Sequence, residues 1–295
     1  MLNLSGFFDA KLDQSDADYA LAYLKHFAGL DGTTANVAEA IMRAQGVLRV
    51  DRDGVIGPQT VKAMRTLPRC GCADGYRLGG VMNRWDPALA TGTGITYTVQ
   101  RYTTGLSHDD QDDLLDVAFG QWTDICGIKF QRVRRTADAN IVISASSSAR
   151  EEFGREFGVL AWCELPQGDR FNEQLRLKFD DAEKWSREIN TPSDILYLNV
   201  ACHEIGHGIG LDHDPDTRPA AIALMDPIYA EDISRPMAHY DIPQAIERYG
   251  DTANPPDDPP VSDGDLQRLT GILAGSFREQ SAMLMETAEE LESLG

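Results

Sequence analysis

The chain has 295 residues, 42% hydrophobic and 25% charged, the balance of a protein that folds around a buried core. Its 27 basic against 47 acidic residues give a net charge of −20, which speaks against nucleic acid as a partner because phosphates would repel it. No apolar run is long enough to span a membrane, and five cysteines are too few for a disulfide-built mini-domain. At the start, Met1-Leu2-Asn3-Leu4-Ser5-Gly6-Phe7-Phe8-Asp9 offers neither a basic beginning nor an apolar stretch of export-signal length. Residues 15 to 66 then read as a small unit of three helices. Leu21, Leu24, Phe27 and Leu30 fall at helical spacing after Ser15-Asp16, the expected cap. A second helix is predicted over 36–45, with Val37, Ile41 and Met42 inward. Asp51-Arg52-Asp53-Gly54 is a turn, and Pro58 opens a third helix through Val61 and Met64 that ends before Pro68.

From Ile95 the period changes. Ile95-Thr96-Tyr97-Thr98-Val99 alternates as a strand, and 110–123 reads as an amphipathic helix with Leu114, Val117, Ala118 and Trp122 on its apolar side. Strands are predicted at 128–130, 141–143, 159–161 and 175–179, and a helix over 193–209. Most strands precede the main helix, so the fold class is α+β or mixed α/β. Residues 251–262 form a Pro/Asp linker, and 263–295 carry one long amphipathic helix with Leu266, Leu269, Leu273, Phe277, Leu284 and Leu291 near one stripe. That helix is read as packing on its own chain, with self-association or a partner as the alternative.

The chemistry concentrates at His203-Glu204-Ile205-Gly206-His207-Gly208-Ile209-Gly210-Leu211-Asp212-His213. His203 and His207, four apart on a helix, project from one face and can grip one metal ion. Glu204, rotated about 100° away, is placed to take a proton from water rather than to share their ligand position. Gly210 can end the helix and turn the chain, returning His213 as a third ligand. Three neutral nitrogens around Zn²⁺ leave its fourth position open, the catalytic arrangement. Three of the chain's six histidines lie in this span of eleven residues. Gly206 and Gly208 each cost a helix about 1 kcal/mol, so an ordinary buried helix would be better without them.

This HExxHxxGxxHD pattern resembles the metzincin zinc proteases, and Leu224-Met225-Asp226-Pro227 resembles their methionine turn, with Met225 as its methionine. Pro68-Arg69-Cys70-Gly71-Cys72-Ala73-Asp74 resembles the cysteine switch of the matrixins, the matrix-metalloprotease-like branch. The resemblance implies a metzincin catalytic domain over 75–250, with a twisted, mostly parallel sheet and long helices. It implies a three-helix, peptidoglycan-binding-like prodomain over 1–74. Ala118-Phe119-Gly120-Gln121-Trp122, Ala137-Asp138-Ala139-Asn140-Ile141 and the 179–185 segment follow the family pattern. A thiolate is a strong zinc ligand, so Cys70 in the fourth position would keep the enzyme latent, with Arg69 paired to Asp74 as a brace. The expected activity is endopeptidase cleavage of an extended protein or peptide, outside the cytoplasm. By the same resemblance Leu160 and Ala161 lie on the edge strand that pairs with substrate. Pro227 and Tyr229 wall the specificity pocket, and Asn199 lies at its floor.

The pattern also breaks. The places of the family's structural zinc ligands read Ser147, Ala149, Trp162 and Lys178, so no structural zinc is expected. Of the calcium carboxylates, Asp180 and Asp181 or Glu183 survive while Gly154 replaces a third acid; a calcium site and a solvated acidic turn are both open. Two roles are open to Cys72: a bridge to Cys70, which would abolish the switch, or competition for the metal. Cys126 and Cys163 are candidates for a second bridge, and Cys202 is expected to face the core. The rival function is a cell-wall binding protein that grips peptidoglycan through residues 15–67, with the zinc domain secondary or inactive.

Overall fold

The computed structural model describes residues 6–30, 36–74, 83–148, 153, 158–167, 174–214, 223–236, 238 and 240–250. The expected linker and tail helix, residues 251–295, lie outside the described residues. The N-terminal unit holds α1 (Gln14–His26), α2 (Val37–Val47) and α3 (Pro58–Thr66). Helix α1 starts one turn earlier than Ser15-Asp16 suggested. Its cap is Asp13, in extended conformation, whose carboxylate accepts from the Asp16 N–H at 2.8 Å. Met42 is turned outward, 37% exposed, because Ile41 and Ala44 already define the buried face and Met42 lies about 100° round from Ile41. Proline at the first position of α3 loses no hydrogen bond there.

After α3 the chain enters a two-residue strand, β1 (Arg69–Cys70), which the sequence did not announce. Five longer strands follow: β2 (Ile95–Arg101), β3 (Phe130–Arg132), β4 (Ile141–Ser146), β5 (Val159–Cys163) and β6 (Leu175–Asp180). With β1 they form one sheet in the order β1-β5-β6-β4-β2-β3. Every pairing is parallel except β5 with β6. The expected mostly parallel sheet is therefore present. Strand β3 begins at Phe130 rather than Ile128, since the Lys129 N–H leaves the ladder and donates to Ala90 O.

Helix α4 (His108–Cys126) is capped by the Ser107 hydroxyl and ended by left-handed Gly127. Its buried side runs Leu114, Leu115, Ala118, Phe119, Trp122 and Ile125, which leaves Val117 48% exposed against expectation. Helix α5 (Tyr197–Gly208) crosses α4, and the Trp122 indole donates to Cys202 O at 3.0 Å. It begins four residues later than the pattern predicted. Asp194 instead accepts from the Asn190 and Thr191 N–H groups, both at 2.7 Å, and pairs with Lys184. The following Ile195–Leu196 forms β8 beside β7 (Trp185–Ser186). A last helix, α6 (Asp241–Tyr249), packs under α4 and was not foreseen.

Apolar side chains gather in two clusters. The larger lies between the sheet and α4–α5, built on Ile95, Ile141, Leu177, Trp122, Ala201 and Ile205. The smaller fills the three-helix unit with Tyr23, Leu24, Phe27, Ile41, Val61 and Met64, and extends onto Val159 and Ile228. The N-terminal helices thus rest on β5 and on the loop that follows Met225.

Candidate metal centre

His203 and His207 stand one turn apart on α5, and the helix ends just beyond them. Gly210 has φ +99°, and a Cβ there would lie 2.0 Å from Asn83 O, so only glycine can make this turn. The turn carries the chain through Leu211 back to His213. The Nδ1 of His203 donates to Leu224 O at 2.6 Å, and that of His207 to Leu211 O at 2.7 Å. Each ring therefore presents Nε2 to a common centre. The Nε2 atoms of His203 and His207 are 3.2 Å apart, and those of His207 and His213 are 3.1 Å apart. Cys70 Sγ lies 3.5 Å from His207 Nε2. Ligands held tetrahedrally by zinc stand about 3.3 Å apart for two nitrogens and about 3.5 Å for nitrogen and sulfur. The donor set fits that cation.

The charges say the same. Burial and the neighbouring rings push His203 down, and burial chiefly pushes His213 down. Burial also opposes a charge on His207, yet the surrounding Cys72 and Glu204 pull it up to about 9. Glu204, wholly buried, has no hydrogen-bond partner on either carboxylate oxygen, and burial pushes it up to about 8. Such an orphan carboxylate is costly unless a cation or a reacting group faces it.

Met225 lies beneath. A Cβ on Gly206 would come within 2.5 Å of its sulfur, so that helical glycine buys close approach of the methionine turn. Asp241, at the start of α6, accepts from the Leu224 and Met225 N–H groups at 2.9 and 3.1 Å. Tyr240 donates to His213 O. No spacing rule marked either residue. The Asp214 N–H donates to Met225 O, tying the last histidine to the same turn.

Cys70 approaches from the N-terminal unit along β1. Its N–H donates to Pro227 O and the Gly71 N–H to Ala161 O, so the outer side of β5, expected as a free edge at Leu160 and Ala161, is covered. Arg69 is buried, with its guanidinium 3.5 Å from the centre of the Phe27 ring and 2.5 Å from Asp74. Asp74 in turn lies 3.2 Å from His213 Nδ1. Burial would raise Asp74, but Arg69 and His213 outweigh it and hold the carboxyl below its ordinary range. Burial pushes the Cys70 thiol up; the hydrogen bond from Cys70, ahead of the His207 charge, draws Cys72 down.

Beside the histidines opens a narrow pocket lined by Leu160, Asn199, Val200, Pro227, Tyr229 and Ile233 among others. Asn199 spends its amide N–H groups on Ala230 O and Glu231 O. All five cysteines are unbridged, so neither of the two candidate pairings is present; Cys202 is fully buried in the core. The Asp180 carboxylate accepts from the Ala182 N–H and its carbonyl from the Trp185 indole. Among the described residues, neither Asp180 nor Glu183 joins a metal-competent cluster. Trp162 and Lys178 face each other across β5 and β6; Ala149 and Gly154 lie outside the described residues.

A helix bearing two histidines and a glutamate, a third histidine returned by a glycine turn, and a methionine turn beneath them define a metal centre of metzincin build. The matrixin family model matches residues 85–250, and the chain belongs to that family. Macrophage metalloelastase of Oryctolagus cuniculus is 30% identical over 233 residues, covering 74% of this chain and 47% of that protein. Interstitial collagenase of Sus scrofa is 29% identical over 278 residues, covering 87% and 55%. Matrix metalloproteinase-C of Caenorhabditis elegans is 29% identical over 200 residues, covering 64% and 32%. The chain thus spans about half or less of the length of these relatives.

Proposed function

We propose that the protein is a latent zinc-dependent endopeptidase whose own Cys70 blocks the centre. The observation that carries this reading is the convergence of Cys70, His203, His207 and His213, whose donor atoms all lie within 4.8 Å of one another. Three neutral imidazoles and one thiolate would hold the ion; once bound, zinc supplies Lewis acidity and makes nearby water more acidic. Glu204 accepts the proton of the attacking water on its unpartnered carboxylate and delivers it to the departing amine nitrogen. The N-terminal unit, as a prodomain, lays Arg69 to Gly71 along β5, and its removal frees the Ala161 carbonyl for the backbone of an extended substrate. The pocket beside the histidines takes an apolar substrate side chain, since Leu160, Val200, Leu224, Ile228 and Ile233 wall it. The same reading places the site of action outside the cytoplasm and calls for one zinc per chain, with no structural zinc.

The test compares the intact chain with the chain cut near Gly75, each with and without a chelator, on a peptide library. Hydrolysis by the cut form alone, abolished by chelation, is the expected result. An inert cut form holding one zinc would overturn the reading.

A further inference from the structure

The blocking segment carries a second thiol that a one-cysteine switch does not require. Cys72 follows Cys70 by two residues, and its sulfur belongs to a second metal-competent group with Cys70, Glu204 and His207, all donor atoms again within 4.8 Å of one another. The two groups share Cys70 and His207, so both sulfurs address one centre. The segment between them is pinned. Cys70 N–H is held by Pro227 O and Gly71 N–H by Ala161 O, at 2.9 and 2.8 Å. A Cβ on Gly71 would lie 2.8 Å from a Val159 methyl, so this residue sits flush against β5. The Cys72 N–H then turns back to donate to Cys70 Sγ at 3.3 Å, and the Cys72 thiol donates to Cys163 O at 3.2 Å. Such a turn keeps the two sulfurs side by side. Independently, the carboxylate of Glu204 faces the same space, wholly buried and unpartnered on both oxygens, the mark of a site built to hold a cation close by.

We propose that Cys72 is a reserve zinc ligand: when Cys70 is lost or modified, the Cys72 sulfur occupies the fourth position, so that a thiolate closes the metal after the loss of either cysteine and is missing only when both are gone. Thiolates are interchangeable ligands for zinc, and the Cys72 sulfur already lies within 4.8 Å of the His207 donor nitrogen. The inference rests on the zinc peptidase reading above.

The test uses the full chain loaded with cobalt(II) in place of zinc, as the native protein, Cys70→Ser, Cys72→Ser and the double variant. A bound thiolate gives a near-ultraviolet sulfur-to-cobalt charge-transfer band. One cobalt per chain confirms that each variant folds, and the corresponding alanine variant replaces any serine variant that fails this check. The band is expected in the native protein and in both single variants, and is absent from the double variant. A Cys70→Ser protein that lacks the band while the native protein shows it overturns the proposal alone. A cobalt-loaded native protein without the band overturns the switch reading and the proposal with it. A chain cut near Gly75 that holds one zinc yet hydrolyses nothing overturns the peptidase reading, while the spectra of the single variants still decide whether Cys72 is a ligand.

Discussion

Glu204 shows how a single residue separates function from structure. A carboxylate placed for stability would be paired or hydrogen-bonded; this one is completely buried with two unsatisfied oxygens, a loss of about 1–3 kcal/mol or more for a charged group. Glu204→Gln keeps the shape and removes the proton acceptor. It is expected to lower peptide hydrolysis by the cut form by at least about 10²–10⁴-fold while zinc content stays at one per chain, measured by elemental analysis; activity within a few-fold of native would remove Glu204 from the mechanism. Its place beside the histidines was legible in the sequence because the helical period alone separates it from them. Asp241 was not legible, since a lone acid at the start of an unpredicted helix resembles any other cap. Its two bonds to the Leu224 and Met225 N–H groups are charge-assisted, worth about 1.5–3 kcal/mol each at most. Asp241→Ala is therefore expected to lower the unfolding midpoint in denaturant and to loosen metal binding, because the carbonyl that orients His203 belongs to Leu224.

Among the elements, α5 and the turn behind it carry the site, and here the periodic signal was strong. The histidine spacing, the glycine stop and the methionine turn each impose a distinct residue type, so their placement could be read directly. The start of α5 could not, because Asp194 spends its carboxylate on loop N–H groups and the next two residues join a strand. Strand β1 was equally invisible: two residues have no period, and only the neighbouring β5 makes them a strand. Gly210 gives the sharpest test at this scale. A side chain there costs about 1–2 kcal/mol for its left-handed backbone and also meets Asn83 O, which accepts from Arg248 Nε as Gly210 O does. Gly210→Ala is expected to destabilise the fold by more than the backbone strain alone and to reduce metal occupancy, read by thermal unfolding with and without zinc. An unchanged melting temperature would mean that the turn is not the device that returns His213.

Across the whole molecule the N-terminal helices and the metal centre are joined by ion pairs rather than by covalent links. Arg49 reaches Asp226 beside the methionine turn at 2.5 Å, and Arg69 reaches Asp74, which touches His213. The first pair is partly exposed, 35% at Arg49 and 12% at Asp226, and contributes less than a buried pair. The second is buried, and removing one partner strands the other charge at a cost of about 3–5 kcal/mol. The pH dependence follows from Asp74. Its carboxyl is held below the ordinary range when docked, so it binds fewer protons docked than released. Docking is therefore favoured at neutral pH, where the pair is intact, and the benefit is lost as pH falls through the docked value, below about 4. Labelling of the full chain with a pyridyl disulfide, whose protonated form still reacts with thiols in acid, reads this out, because Cys126, Cys163 and Cys202 are buried and burial raises each of their thiols. At neutral pH Asp74→Asn is expected to label at Cys70 and Cys72 much faster than the native protein. On acidification the histidines release metal in both proteins, but only the native protein also loses its ion pair, so the two rates converge. Equal rates at neutral pH would show that the helices stay docked through their apolar contact with Val159 and Ile228 and not through the buried pair.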